Sequence, residues 1–427
     1  MSNGADVAED LRLETTVRKF TERLKWQEDH GRSLSKQAYT RVMRDYFQRA
    51  ASAREIGKPL AFTSVLFFPE VLQCMDIVNF APAQYCIQMM VQGYSSMYLD
   101  KGLARGVSPE LCSCNIATVG MAGDGIFPTP DLMLATAQQP CDPQAQETEL
   151  IHNIYQVPIF WFNYPYRTDQ ETIRYLQREF RDMIGFLEAQ TGHKFSEDAL
   201  QERLEIAKTC HDLFLEVQEM RFKTPCPLGL RDAYQSASVR TFIEGHQDTV
   251  DVFRAQHQEV KALVDQGKGA IPNERYRVVA GGVFPFWNMR LFDWMEKEFG
   301  AIVVIDFRNR LQMNRIGDTS DPVACLADKI VNCFPLGRTQ CLPNPEIAEE
   351  GALVAKQANC NASIYFTHFG CKITCGAQRV TTDCLKEIAG INTLVVDVDA
   401  YDPRVVSESQ IKDRVSQYFE MLDKMGV

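Results

Sequence analysis

Cysteine is the residue through which this chain of 427 residues could do unusual chemistry, and it has fourteen of them. No CxxC pair occurs anywhere in the sequence, which removes support for a zinc ribbon or a thioredoxin-like dithiol. Three cysteines stand out by position. Cys112 lies in ELCSCNIATVG at the start of a predicted helix, where backbone N–H groups and the helix dipole favour a thiolate. Cys141 follows 29 residues later in QQPCDP, and Cys371 lies in THFGCKITCG. Three thiolates are one short of a structural zinc site, and one short of filling a [4Fe–4S] cluster. A cluster on three cysteines keeps one iron open to a substrate oxygen or water, which turns an electron carrier into a catalyst. The bland reading of any one cysteine is a small buried hydrophobe. It is the reading adopted for Cys74, Cys86, Cys210, Cys226, Cys325, Cys333, Cys341, Cys360 and Cys384. Cys114 and Cys375, close to the candidate ligands, are alternates or groups packed behind them.

Other residues could assist. His368 ends the predicted strand that delivers Cys371, and could donate a proton or a hydrogen bond to a substrate radical anion or a cluster sulfide. A buried, satisfied histidine is the alternative. Asp306 and Asp399 also end predicted strands, where a carboxylate either faces the cleft or caps the next helix. Gly281-Gly282 after a strand would allow close approach of a phosphate, but the pattern is not G-x-G-x-x-G. The aromatic run YQVPIFWFNYPY reads as core, with a tail that could line a pocket.

The elements that must position these side chains are those of an α/β protein. Apolar runs LAFTSVLFF (60–68), DLMLATA (131–137) and VPIFWFN (157–163) read as strands buried on both faces, with helical patterns between them. A second and clearer unit follows: strand RYRVVAGG, helix LFDWMEKEFG ending at Gly300, strand AIVVID, helices around 321–334 and 345–359, strand ASIYFTH, a helix near 377–389, strand NTLVVDVD, and a last helix from Ser407. The predicted fold is α/β, two doubly wound parallel-sheet domains with N-terminal and connecting helices. Its expected boundaries are N-terminal helices over 1–56, a first α/β domain over 57–167, a helical connection over 168–270, and a second α/β domain over 271–427. In open α/β sheets ligands bind beyond the carboxyl ends of the strands. Cys141 and Cys371 each fall just past such an end, one in each unit.

Bulk properties narrow the function further. A net charge of −11 and a pI near 5.3 argue against a nucleic-acid footprint. The sequence has no run of about 18 uncharged apolar residues, so no membrane span is expected. The acidic, polar start MSNGADVAEDLRLE lacks the charge order of a signal peptide. The expected location is cytoplasmic, where disulfides are an unlikely use for fourteen thiols.

The ordered series TSVLFFPEVL, GYSS, ELCS with Cys112, PTPDLMLATAQQPCD with Cys141, VPIFWFNYPY, EAQTGHKF, GAIPNERYRV, EKEFGAIVVID, THFGCK with Cys371 and VVDVDAYDPRVVSESQIKDRVSQYFEML resembles the iron–sulfur subunits of the 2-hydroxyacyl-CoA dehydratase and benzoyl-CoA reductase family. The resemblance runs from about Gly57 to the C-terminus. It implies two flavodoxin-like domains and a [4Fe–4S] cluster held by Cys112, Cys141 and Cys371. It also implies a homologous second cluster subunit, an acyl- or aryl-CoA substrate, and an ATP-dependent activator or other electron-donating iron–sulfur protein. No P-loop is present, so ATP is expected to act only through that partner.

Dehydratase subunits of the family carry a glutamate, a glycine and a proline where this chain has Val71, Asp76 and Asn79. The stretch QCMDIV instead resembles the larger cluster-bearing subunit of benzoyl-CoA reductases. The expected activity is therefore a low-potential, one-electron reduction of a CoA thioester, with ATP-driven ring reduction as its form. Such an acceptor needs the low end of the roughly −700 to +450 mV range of iron–sulfur clusters, because each ~59 mV of shortfall costs about tenfold. Alternatives are an (R)-2-hydroxyacyl-CoA dehydratase subunit, a homodimeric double-cubane-cluster reductase of small molecules, and a non-catalytic electron-relay subunit.

Overall fold

The computed structural model describes residues 11–137, 141–165, 167, 169–307, 314–333 and 345–426. Helices α1 (Leu13–Asp29) and α2 (Leu34–Ser52) come first and pack on each other. Strand β1 (Leu60–Thr63) follows, then α3 (Pro69–Cys74), β2 (Val78–Phe80), α4 (Pro82–Met89), α5 (Ser95–Ala104), α6 (Ser113–Gly123), β3 (Leu132–Thr136), α7 (Asp142–Tyr155) and β4 (Ile159–Phe162). These four strands form one parallel sheet in the order β2-β1-β3-β4. The predicted strand 60–68 is shorter than its apolar run, because the chain turns away after Thr63 and Leu66 adopts φ 62°. Three-residue β2 gave no periodicity to read.

Four long helices come next: α8 (Gln170–Thr191), α9 (Glu197–Met220), α10 (Leu230–Ile243) and α11 (Gln247–Asp265). Asp169 and Ser196 start the first two by accepting the Thr172 and Ala199 N–H groups, as N-cap residues do. The second sheet is built from β5 (Tyr276–Gly282), α12 (Arg290–Phe299), β6 (Ala301–Asp306), α13 (Pro322–Asn332), α14 (Pro345–Gln357), β7 (Ala362–His368), α15 (Lys372–Ala389), β8 (Thr393–Val398) and α16 (Glu408–Met425). Its order is β6-β5-β7-β8, again all parallel. Both sheets thus repeat one winding, in which the chain order reverses between the first and third strands, as expected for two flavodoxin-like domains. Among the described residues no helix is long and apolar enough to cross a membrane.

Alternation along the strands explains how the sheets are covered. Phe62, Met133, Val278, Ala280, Ile364 and Phe366 all point into one continuous core shared by the two sheets. Their neighbours Ala61, Leu132 and Leu134 face α8, α9 and α13, whereas Val279, Ile302 and Val304 face α14 and Leu385 of α15. Helix α13 follows β6 in sequence, yet it buries Val323, Leu326 and Ile330 with Phe180 and Leu204 against the first sheet.

A buried charge network accompanies that crossing. Lys329 of α13 lies between Glu70 of α3, which it contacts closely, and Glu244, whose Oε2 is 2.6 Å away. Arg240 binds Glu244 at 2.8 Å and donates to His211 Nδ1 at 2.6 Å. All five side chains are buried. Two cations balance two carboxylates, so the network depends on every member being present. Removing the charge in Lys329→Met is expected to cost about 3–5 kcal/mol in urea unfolding, since two carboxylates would be left buried without their shared cation.

Burial, followed by the Arg240 charge, lowers the His211 pKa from 6.5 to about 3. The unfolded chain then binds a proton near pH 6.5 that the native chain refuses until about pH 3. This group's contribution is complete above the unfolded value and is lost as pH falls through that window. Stability measured by urea at pH 7, 6 and 5 should therefore drop on acidification, and His211→Gln should make the drop shallower.

Candidate functional site

A cavity of about 990 Å³ opens where the carboxyl ends of both sheets meet. Cys112, Cys141 and Cys371 all line it. Each is the residue immediately before a helix: Cys112 before α6, Cys141 before α7 and Cys371 before α15. Sequence reading placed only Cys112 at a helix start. It expected the third helix near 377, whereas α15 begins at Lys372, directly after the cysteine. Three helix N-termini therefore converge on one cavity, each directing unpaired N–H groups and a partial positive charge at a sulfur.

None of the three thiols closes a full capping hydrogen bond. The Cys114 and Gln144 N–H groups nevertheless face Cys112 and Cys141 closely enough to favour the thiolates. Burial works the other way. It pushes the Cys112 thiol well up, and the nearby Cys141 and Cys371 charges add to the effect. Burial and then Cys371 do the same to Cys141. Holding these sulfurs as thiolates in this wall would need a cation among them, which an iron–sulfur cluster would supply. Gln144 adds a buried Oε1 on the same wall with no hydrogen-bond partner among the described residues. The residues present thus fit a thiolate-bound group. Among the described residues no three His, Cys, Asp or Glu side chains close on a single metal ion. A cluster spreads its ligands over separate irons and does not require them to.

The loop carrying Cys371 is pinned to Cys112 across the two units. His368 Nε2 lies 3.3 Å from Cys112 Sγ, and the Ala400 N–H donates to His368 Nδ1 at 3.3 Å. Ser113 Oγ donates to Asp399 Oδ1 at 2.5 Å, which also accepts the Tyr401 and Asp402 N–H groups. Asp399 therefore caps the turn after β8 and does not offer its carboxylate to the cavity. Asp306 is buried 3.6 Å from Arg221 at the end of β6. Gly282 lines the cavity, but its φ of 76° and the Phe366 carbonyl beside it already account for a glycine there. Tyr365 packs against the α-carbon of Gly281 in the same way.

The other cysteines divide clearly. Cys114 lines the cavity, but its thiol packs with Cys86 and reaches the Ala83 carbonyl. Cys375 turns back to the His368 carbonyl at 3.2 Å. Cys74, Cys210, Cys226, Cys325, Cys333, Cys360 and Cys384 pack in or against hydrophobic cores. Cys341 lies outside the described residues. Behind the cysteines Glu147 is buried beside Asn115, and burial raises its pKa to about 8.

Sequence reading assigned no role to the helices that form the outer wall. Arg23, Arg32 and Lys36 of α1, α2 and their connection, with Arg231 and Arg290, line the cavity. Lys36 pairs with Asp232 at 2.9 Å, and Arg231 with Asp293. Arg32 stacks over Trp26 at 5.0 Å. Arginines on an amphipathic helix look like an ordinary solvated face, so no local signal marked them.

A family described as 2-hydroxyglutaryl-CoA dehydratase, D-component, matches residues 65–422. A benzoyl-CoA reductase subunit of Thauera aromatica is 24% identical over 413 residues, covering 88% of this chain and 92% of that protein. The (R)-phenyllactyl-CoA dehydratase alpha subunit of Clostridium sporogenes is 22% identical over 390 residues, 87% of this chain and 92% of its own. The (R)-2-hydroxyisocaproyl-CoA dehydratase alpha subunit of Clostridioides difficile is 20% identical over 400 residues, 90% and 95% of the two chains.

Gly370 is what lets the Cys371 loop approach Cys112. A β-carbon there would sit 2.8 Å from Cys112 Cα and 3.0 Å from His368 Nε2. Gly370→Ala is expected to lose about 1–3 kcal/mol in urea unfolding, the usual range for overpacking. Gly185→Ala in α8, where nothing lies within 4 Å of the added carbon, should instead gain about 0.5–1 kcal/mol.

Proposed function

The chain belongs to the 2-hydroxyglutaryl-CoA dehydratase D-component family, and on that premise we propose that it is the cluster-bearing subunit of a benzoyl-CoA reductase-type enzyme, reducing a CoA thioester one electron at a time. The observation that carries this reading is the convergence of Cys112, Cys141 and Cys371 at three helix N-termini in one cavity wall. These three residues would hold a [4Fe–4S] cluster, which supplies a low-potential electron and, with three protein ligands, leaves one iron open.

The rest of the work falls to the chain itself. The helix N-termini and their N–H groups stabilise the thiolates. Acidic Asp142, Asp232 and Glu408 also line the cavity, and Lys36 and Arg231 are paired with Asp232 and Asp293, which leaves Arg23, Arg32 and Arg290 as the guanidinium groups suited to the phosphates of coenzyme A. An acyl or aryl group on that carrier would reach inward toward the cysteines, out of bulk water. ATP hydrolysis would take place on a separate activator, which passes its electron to this subunit, and a homologous subunit would complete the enzyme.

The preference for ring reduction over dehydration rests on sequence: QCMDIV resembles the larger benzoyl-CoA reductase subunit, and Val71, Asp76 and Asn79 depart from the dehydratase pattern. Val71 is fully buried. Asp76 is exposed and pairs with Lys58 at 2.6 Å, and Asn79 is spent on the Phe242 carbonyl at 2.8 Å. None of the three lines the cavity.

Anaerobically purified protein should carry about four irons and four sulfides per chain. The content should collapse in Cys112→Ala, Cys141→Ala and Cys371→Ala and persist in Cys375→Ala. With the activator present, loaded enzyme should consume benzoyl-CoA, and Arg23→Glu or Arg290→Glu should raise KM about tenfold with little change in kcat. Turnover of 2-hydroxyacyl-CoAs alone would reassign the reaction to dehydration. Iron-free wild type, with all three cysteine variants folding normally, would overturn the cluster.

A further inference from the structure

The surroundings of His368 favour one tautomer of its neutral ring. The Ala400 N–H donates to Nδ1 at 3.3 Å, so in the neutral ring Nδ1 is the acceptor and the hydrogen sits on Nε2. Asp399 Oδ1 is 3.9 Å from Nδ1, but it already accepts three hydrogen bonds, from Ser113 Oγ and the Tyr401 and Asp402 N–H groups. Nε2 faces Cys112 Sγ at 3.3 Å. The ring has little freedom to leave this position. It is 1% exposed, and Tyr401 packs edge-on at 5.9 Å. The bare α-carbon of Gly370 leaves room for it beside Cys112.

From this geometry we infer that His368 is a tuning residue: it donates its Nε2–H to the Cys112 sulfur and thereby holds the reduction potential of the bound cluster up. The inference rests on the cluster reading above and adds to it a residue that sets the cluster's electronics without touching the substrate. An N–H directed at a ligand sulfur favours the more negative, reduced cluster, and does so strongly where solvent cannot screen it. One electron enters from a low-potential iron–sulfur donor, and the proton stays on Nε2 throughout. The same bond ties Cys112, just before α6, to His368 at the end of β7, beside the Ser113–Asp399 bond that also joins the two units. The Cys114 N–H near Cys112 and the Gln144 N–H near Cys141 act in the same sense, but they are backbone groups fixed by their helices. His368 is the donor a side-chain substitution can remove.

The test is an anaerobic redox titration followed by EPR, preceded by iron and sulfide analysis. His368→Phe should make reduction about tenfold less favourable, a midpoint about 59 mV more negative. His368→Gln, whose side-chain amide can donate from a similar reach, should recover most of that shift. In the wild type, histidine labelled with nitrogen-15 should couple magnetically to the reduced cluster through an exchangeable proton. A loaded His368→Phe with an unmoved midpoint would overturn the inference, as would equal shifts in the Phe and Gln variants. Should neither variant load iron, the wild-type labelling decides: coupling supports the inference, and its absence sinks it. Wild type without iron would remove the functional reading itself, and the preceding analysis separates that failure from a failure of His368 alone.

Discussion

Everything at this site depends on a closed ring of contacts between the two α/β units. Cys112 Sγ meets His368 Nε2, His368 Nδ1 accepts the Ala400 N–H, Asp399 is the residue before Ala400, and Asp399 Oδ1 accepts from Ser113, which follows Cys112. The ring joins the start of α6 to the ends of β7 and β8. It fixes how the carboxyl ends of two separate sheets face each other, and with them the three cysteines. Buried hydrogen bonds of this kind specify a geometry because leaving any partner unsatisfied is costly.

The remainder of the molecule supports that alignment. One apolar core is continuous beneath both sheets, so neither sheet can shift without disturbing packing in the other. On the far side, helix α13 leaves the second unit to pack on the first and brings Lys329 between Glu70 and Glu244. A shared buried cation adds little net stability over apolar packing, but it tolerates few alternative arrangements. Shape complementarity and buried charge therefore restrict the same degree of freedom from two sides.

Electrostatics at the cavity are arranged in two zones. Deep in the cleft, helix N-termini favour thiolates at Cys112 and Cys141 while burial and the neighbouring sulfurs oppose them. At the outer wall, Arg23, Arg32 and Arg290 stand beside the Lys36–Asp232 and Arg231–Asp293 pairs.

Much of the fold was legible in the sequence. Continuous apolar runs such as ASIYFTH and RYRVVAGG became fully buried parallel strands, because a strand covered on both faces has no polar positions to alternate. Gly300 and Ser407 ended and began their helices as expected. Short β2 and the early start of α15 were not legible, since three residues carry no period and a cysteine is a weak stop signal. The sequence by itself determined the alternating α/β class of each unit and put Cys141 and Cys371 just past strand ends, because hydrophobic periodicity and turn residues are local properties. Only the tertiary structure decided that His368 faces a sulfur, that Asp399 and Asp306 are spent on internal contacts, and that residues of the N-terminal helices line the cavity. Those outcomes depend on contacts between residues hundreds of positions apart, 256 in the case of Cys112 and His368, and no local pattern records them.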